Sequence, residues 1–591
     1  MKPHLQMEKN LVEQDPYRLV RGGYLKIKVK KPGQGDNDFI RFFHPKPPQE
    51  KLIKLIERLR KEEKPPRIWI LKARQIGFST LSEALIFSYT SQRKGRNACI
   101  IADDLKGTNY LFEMYKTYHS FLERDFPHLA PPIDRSNRKE MVFQHMYSGI
   151  YPDTADNEDA GQKYTFVDVH WSEVALFKKA QILFDGFMQS MPDHPETLFI
   201  GESTAHGYGG FFYDQVMSAY DNLSDWEWFF VPWYDEPGYR KPLDAEQLIF
   251  LESTINKEEE ALLEIHGCDF EQLWWRRWAI INKVSGGKNS QDIPKGCYLP
   301  DPILIQPLES FHEKYPASVE EAFIASGDCR FEKLILQKWL GQTPRMAKQN
   351  EMLKPRENYV EGYFFIDNQG FLDFAVQTGG YWKIFFYSEQ GIDYAFGADV
   401  AEGIEVIEGS KDYDYSTIVI LRRDTLEQVA EYRARIEPDL FALECFYGLM
   451  FFNTPVAGIE ANKDGQTTIK FLREQYGYTN MFIRDVPDEE RYNRMTKKLG
   501  WLTTGGRNKG TRHTMVNDMA KFIRDQEGML YSKRAISECL SFVKKPDGRV
   551  EHQDGCHDDL VFAAGIAIQM HLKSPHSEAW TQRRRLSISY R

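Results

Sequence analysis

Between about residue 46 and residue 240, short β-rich apolar runs alternate with helical stretches. The runs are Arg67 to Leu71, Asn97 to Ala102, Tyr164 to Val169, Thr197 to Ile200 and Trp226 to Val231. Their alternation with helices predicts an α/β domain on a parallel-rich sheet, because each parallel crossover needs a connection of about a dozen residues or more. A mainly helical, Trp-bearing segment carries this first domain to about residue 345. Residues 1–45 are polar and punctuated by Gly and Pro, and read as an N-terminal arm. Residues 346–385, rich in turn residues and aromatics, read as a connecting segment.

A second pattern begins with a strand at Tyr394 to Val400 and hairpin strands at Thr417 to Leu421 and Gln428 to Arg433. A helix near Leu440 to Phe452, a strand at Val456 to Glu460 and a helix from about Thr467 follow. Strand, strand, strand, helix, strand, helix is the order of a ribonuclease-H-like fold, expected over residues 386–575 with a basic tail at 576–591.

Length and composition agree with two domains. At 591 residues the chain exceeds one ordinary core, and 42% hydrophobic with 27% charged residues reads as globular. There is no long apolar run, so no membrane span is expected, and Met1 to Asn10 lacks a secretory core. Seven cysteines without a CxxC pair argue against a disulfide framework or a cysteine-rich zinc site, and for a reducing cytoplasm. The net charge of −10 carries no general basic footprint, so any nucleic-acid contact is expected to be local. Candidates are Arg507, Lys509 and Arg512, and the tail triplet Arg583, Arg584 and Arg585, each of which also reads as an ordinary solvated face.

The stretch Arg67-Ile-Trp-Ile-Leu-Lys-Ala-Arg-Gln-Ile-Gly-Phe-Ser-Thr80 is a strand, a tight turn holding Gly77, and a helix opening at Ser79. Such a turn aims backbone N–H groups and the positive helix end at phosphate. It departs from GxxxxGK[ST], since Phe78 stands where the lysine belongs; Lys72 and Arg74 bring cations from the strand end, and Ser79 or Thr80 offers a hydroxyl for Mg²⁺. A second strand runs into Asp168-Val-His-Trp-Ser-Glu173. Glu173 lies where it could orient an attacking water, and Asp168 reads as a satisfied buried acid. A third strand ends in the hydroxyls of Ser203 and Thr204, placed to sense a γ-phosphate.

In the second domain three acids stand at element ends: Asp399 after Tyr-Ala-Phe-Gly-Ala, Glu460 after Val-Ala-Gly-Ile, and Asp558 with Asp559 opening an apolar helix. Two-metal phosphodiester cleavage needs several carboxylates around Mg²⁺ or Mn²⁺ ions about 3.5 to 4 Å apart. Any one of these acids alone reads as a surface acid or a helix cap; their order makes the set a candidate site.

These motifs resemble those of the large terminase subunits of tailed double-stranded DNA phages. Lys-Ala-Arg-Gln-Ile-Gly-Phe-Ser-Thr, His-Trp-Ser-Glu-Val-Ala and Glu-Ser-Thr-Ala-His-Gly-Tyr-Gly-Gly-Phe-Phe are similar to the family's deviant Walker A, Walker B and coupling motifs. Phe43-His-Pro-Lys-Pro-Pro-Gln49 resembles its adenine-reading motif, and Phe230-Val-Pro-Trp233 and Tyr315 to Phe323 resemble further landmarks. Gly397-Ala-Asp399, Ile459-Glu460 and His557-Asp-Asp559 resemble its nuclease pattern. The resemblance implies an ATP-driven translocase of double-stranded DNA and a metal-dependent endonuclease, cutting the genome concatemer in the host cytoplasm. It implies Gln49 at the adenine, Lys72, Arg74, Gln75, Gly77, Ser79 and Thr80 around the phosphates, Glu173 as catalytic carboxylate, and Ser203 and Thr204 as coupling pair. Asp399, Glu460 and Asp558 are the implied metal ligands, with Asp559 sharing that role or capping its helix and Asp414 a weaker candidate. ATP with one Mg²⁺ and two further Mg²⁺ or Mn²⁺ ions are the implied cofactors; the implied partners are DNA, a portal ring, a small terminase subunit and further copies in a ring. A helicase-nuclease of repair or defence is the alternative, for which a second set of helicase motifs is missing, and a DNA-binding packaging scaffold without catalysis is another. In related motors an arginine before the second strand reaches the neighbouring ATP; here Lys163 stands there, and the favoured reading is Lys163 in trans with Arg74 as a catalytic residue within its own subunit, Arg135 or Arg138 being the substitute otherwise.

Overall fold

The computed structural model describes residues 2–29, 39–157, 159–161, 164–207, 209–220, 222–284, 293–294, 296–300, 307–323, 329–340, 359–401, 415–487, 495–505, 510–545, 548–553 and 556–574. The chain divides into two compact units, Met1–Ser326 and Gly327–Arg591. Asp414, Lys163, Arg507, Lys509 and the Arg583 to Arg585 triplet lie outside the described residues. Among the described residues no helix is long and apolar enough to cross a membrane, and every cysteine but Cys329 is buried.

The first unit is built on eight strands: β1 (Arg67–Lys72), β2 (Asn97–Ala102), β3 (Ile133–Ser136), β4 (Met141–Phe143), β5 (Ser148–Thr154), β6 (Asp168–Ser172), β7 (Leu198–Ser203) and β8 (Glu227–Val231). Their spatial order is β8-β1-β7-β6-β2-β5-β4-β3. The six strands from β8 to β5 are parallel, and β4 and β3 continue the sheet as an antiparallel edge. β6 and β7 are buried along their whole length, as strands covered on both faces must be. All five expected runs appear, with one displaced: β6 begins at Asp168, not Tyr164. The aromatics before it, Tyr164 and Phe166, pack with the ring of Tyr151, so their strand-like composition serves side-chain packing instead of the ladder. β5 was not anticipated, because Gly149, Pro152 and Asp153 interrupt its apolar pattern.

Several residues expected in the N-terminal arm pack into this unit's core. Val12, Tyr17, Leu19, Val20, Leu25 and Phe43 are buried in its core, and Glu8 accepts from the Tyr24 hydroxyl at 2.7 Å and lies 2.6 Å from His128 Nε2. Spaced apolar residues in a polar stretch bury one face of a helix, and that face needs a partner.

The second unit takes in what was expected as the end of the first domain. Phe331 stacks on Phe542 at 5.6 Å, and Trp339, in the helix Lys333–Leu340, meets Phe522 edge-on at 5.8 Å. The connecting segment also belongs here, since β9 (Val360–Ile366), β10 (Leu372–Val376) and β11 (Trp382–Ile384) join its sheet. The remaining strands of this sheet are β12 (Tyr394–Asp399), β13 (Ser416–Arg422), β14 (Gln428–Ala434) and β15 (Ala457–Ile459), in the order β10-β9-β11-β14-β13-β12-β15. β12 pairs antiparallel with β13 and parallel with β15, and β13 pairs antiparallel with β14, the ribonuclease-H-like arrangement.

Alternation along β12 sends neighbouring residues to opposite faces. Phe396 faces the helix Pro438–Phe451, where a Cβ on Gly448 would lie 3.4 Å from its ring. Gly397 faces the helix Asp559–Lys573, whose backbone approaches so closely that a Cβ would lie 2.1 Å from Ala563 O and 2.3 Å from Ala567 N. On β15, a Cβ on Gly458 would lie 2.4 Å from Met570 Cγ. Two glycines therefore set how near the Asp559–Lys573 helix comes to the strand ends.

Candidate functional site

At the C-terminal edge of the first sheet, register brings the motif residues together. Leu71 pairs with Ser203, Ser172 with Glu202 and Ala102 with Ser172, so the ends of β1, β7, β6 and β2 line one rim. Ligands of open parallel sheets bind at this rim. After β1 the chain turns through Gln75 (φ 63°) and Gly77 (φ 84°) into the helix Phe78–Gln92. A left-handed conformation costs a non-glycine residue such as Gln75 about 1 to 2 kcal/mol per residue. The helix has no side-chain cap, so its first N–H groups are available to an anion.

The turn is held from behind. Ala73 N donates to Val231 O at 2.9 Å, Arg74 N to Lys314 O at 2.8 Å, and the Tyr239 hydroxyl donates to Arg74 O. Trp233 N donates to Pro316 O at 3.1 Å, and Tyr239 stacks on Trp275 at 4.1 Å. The landmarks around Trp233 and Tyr315 thus form the bed of the turn that follows β1. Gln49 is buried; its Oε1 accepts from Lys46 N and its Nε2 donates to Gly77 O, each at 2.8 Å. In this structure it braces the loop. The Arg74 and Gln75 side chains are exposed, Ser79 and Thr80 half-buried, and Thr80 O accepts from the Tyr118 hydroxyl at 3.1 Å.

Lys72 stands between two carboxylates, its Nζ 3.2 Å from Glu173 Oε1 and 3.3 Å from Glu202 Oε2. Burial pushes its ammonium down, but the two acids outweigh burial and hold its pKa above the ordinary lysine value. Glu173 sits just past β6 in a left-handed conformation (φ 59°). Ser203 Oγ donates to Glu173 Oε2 at 3.4 Å and accepts from Ala175 N at 3.3 Å, tying the end of β7 to Glu173; Thr204 follows, half-buried. Asp168, at the far end of β6, is the buried structural acid expected, gripped by Arg96.

One residue here was missed in the sequence. Glu202 is fully buried, and its Oε1 accepts from Ser79 Oγ at 2.5 Å and Ser172 Oγ at 3.0 Å. His170 lies behind it, Nε2 at 3.5 Å, with Nδ1 2.8 Å from Glu83 Oε1. Burial pushes the His170 imidazolium down, yet the two carboxylates raise its pKa to about 9. Burial likewise raises Glu202, but Lys72 and His170 bring it well below the usual range. The available signal was an acid inside an otherwise apolar strand.

In the second unit the parallel pairing of β12 and β15 sets Asp399 beside Glu460, whose backbone N donates to Ala398 O at 2.9 Å. Thr417, register partner of Asp399, donates its hydroxyl to Asp559 O at 2.9 Å, which fixes the Asp558–Asp559 helix end against this rim. Burial, then Glu460, Asp559 and Asp558, push the Asp399 carboxyl far above the usual range. Carboxylate oxygens are the ligand type that Mg²⁺ or Mn²⁺ prefers, but among the described residues no three of these acids bring ligand atoms within 4.8 Å of one another.

Asp558 and Asp559 differ in surroundings. Asp559 is buried, with Oδ2 accepting from Tyr415 N at 3.3 Å and 3.8 Å from His557 Nδ1. Asp558 occupies the helix N-cap without a side-chain cap bond. The helix is capped instead by Glu538, whose Oε2 accepts from Leu560 N at 2.7 Å, a residue the motif reading did not include. Burial raises the Glu538 carboxyl to about 7 despite Arg433 nearby. Arg433 and Arg435 lie 4.0 and 4.6 Å from the Tyr415 ring, and Tyr415 meets His557 edge-on. Arg512, a candidate DNA contact, lies over the Phe562 ring at 4.8 Å and 3.9 Å from Asp558 Oδ2, turned toward the acids.

No family model and no curated protein matches the sequence. Among solved structures, the chain is similar to the large terminase of bacteriophage HK97, at 9% identity and TM-score 0.43 over 93% of this chain and 99% of that one. It is similar to the ATPase domain of a Thermus phage large terminase, at 16% identity and TM-score 0.24 over 33% of this chain and 85% of that one. It is also similar to the large terminase nuclease of thermophilic phage G20c with bound magnesium, at 15% identity and TM-score 0.24 over 33% and 89%.

Proposed function

We propose that this chain is a large terminase subunit, which hydrolyses ATP to drive double-stranded DNA into a procapsid and cuts the concatemer with a metal-dependent nuclease. The observation that carries the reading is the pairing, on one chain, of a phosphate turn facing Glu173 at a parallel-sheet rim with an Asp399–Glu460–Asp558–Asp559 cluster on a ribonuclease-H-like sheet. In the first unit the turn's backbone N–H groups and Lys72 cradle the phosphates of ATP, and Arg74 and Gln75 are exposed beside them. Glu173 orients the attacking water, and Ser203, bonded to Glu173, passes the state of the γ-phosphate to β7.

In the second unit Asp399, Glu460 and Asp558 would hold Mg²⁺ or Mn²⁺, with Asp559 beside them. When bound, such ions activate a water nucleophile and neutralise the leaving oxygen. The chain's own part is to bring Asp399, Glu460 and the Asp558–Asp559 helix end to one rim through the β12–β15 pairing and the Thr417–Asp559 bond. DNA, a portal ring, a small terminase subunit and further copies of this chain in a ring are the proposed partners, and the host cytoplasm is the proposed site of action. The test is ATP-dependent packaging of DNA into matched procapsids, scored by nuclease protection of the packaged genome. DNA left unprotected although ATP is hydrolysed would overturn the packaging role.

A further inference from the structure

P-loop motors hold the Mg²⁺ of bound ATP with a loop hydroxyl and an acid at the end of the second motif strand. Here β6 ends in Ser172, which cannot supply that charge. The neighbouring strand does. Glu202 is the register partner of Ser172, and its Oε1 lies 2.5 Å from Ser79 Oγ, the hydroxyl at the start of the phosphate-loop helix, and 3.0 Å from Ser172 Oγ. Its Oε2 lies 3.3 Å from Lys72 Nζ.

A buried carboxylate costs several kcal/mol of desolvation unless it is paired and hydrogen-bonded. The strand positions before it, Leu198, Phe199 and Ile200, are apolar. The surroundings instead fix the carboxylate in place: Lys72 on one side, His170 behind, and two serine hydroxyls on the oxygen that faces the loop helix.

We infer that Glu202 replaces the missing acid of β6, and that Glu202 and Ser79 hold the Mg²⁺ of bound ATP. The inference rests on reading the first unit as an ATPase. The acid has crossed to the adjacent strand, and Ser172 serves as a hydrogen-bond donor that orients it.

The test measures affinity for a non-hydrolysable ATP analogue with and without Mg²⁺, with Mn²⁺ electron paramagnetic resonance to count nucleotide-dependent metal binding. Glu202→Gln should lower the ratio of the two affinities by about 10- to 100-fold, the range seen when a metal site loses a supporting carboxylate, and should abolish nucleotide-dependent Mn²⁺ binding. Ser172→Asp combined with Glu202→Gln returns the acid to β6 and should restore both. An unchanged ratio in Glu202→Gln, or a double variant no better than the single, overturns the inference. A wild-type chain that binds no nucleotide overturns the ATPase reading itself, a different outcome.

Discussion

Gly397 lies against Ala563 so closely that a Cβ on the glycine would come within 2.1 Å of the alanine's carbonyl oxygen. The contact sets the depth at which the Asp559–Lys573 helix, with Asp558 at its cap, meets Asp399. Gly397→Ala should push the helix outward, and a misplacement of about 1 Å in such a site costs on the order of 100-fold in rate. DNA cleavage should fall by that order while ATP hydrolysis in the other unit persists. Full cleavage by the variant would show that this contact does not govern the site.

Arg96 grips Asp168 with Nε to Oδ2 at 2.9 Å and Nη2 to Oδ1 at 2.6 Å, both residues buried. Removing one partner strands the other charge, at a cost of about 3 to 5 kcal/mol. Asp168→Ala should lower the thermal midpoint of the first unit strongly. A midpoint equal to wild type would refute the structural role.

The two constellations lie in separate compact units and share no residue. Asp399→Ala should abolish cleavage and spare ATPase turnover; Glu173→Ala should cut turnover by roughly 10²- to 10⁴-fold and spare cleavage in an assay that needs no translocation. Loss of ATPase in a folded Asp399→Ala protein would count against the division.

Cleavage should require Mg²⁺ or Mn²⁺ and fail with Ca²⁺, whose larger, loosely coordinated shell disturbs a two-ion arrangement. Activity that survives EDTA would remove the Asp399–Glu460–Asp558 set from the chemistry.

Gln49 spends its amide on Lys46 N and Gly77 O. If bracing the loop is its main work, Gln49→Ala should weaken ATP and GTP binding by the same factor. A selective loss of ATP over GTP would instead favour the adenine contact implied by the resemblance.

The sequence by itself determined the strand runs, the glycine turn after β1 and the placement of Glu173, Asp399, Glu460 and Asp558 at element ends. These signals are local: an apolar run, a glycine at a turn and an acid at an element end sit within a few residues of one another. Only the tertiary structure decided that Val12, Tyr17, Leu25 and Phe43 belong to the first core and residues 360–384 to the second sheet, because sparse apolar positions reveal neither the partner they pack against nor the ladder they join. It also decided the part of Glu202, which meets Ser79 across 123 residues of chain, and of Glu538, which caps a helix 22 residues away. Burial and hydrogen-bond partnership between distant residues arise from sheet register, and no window of sequence contains register.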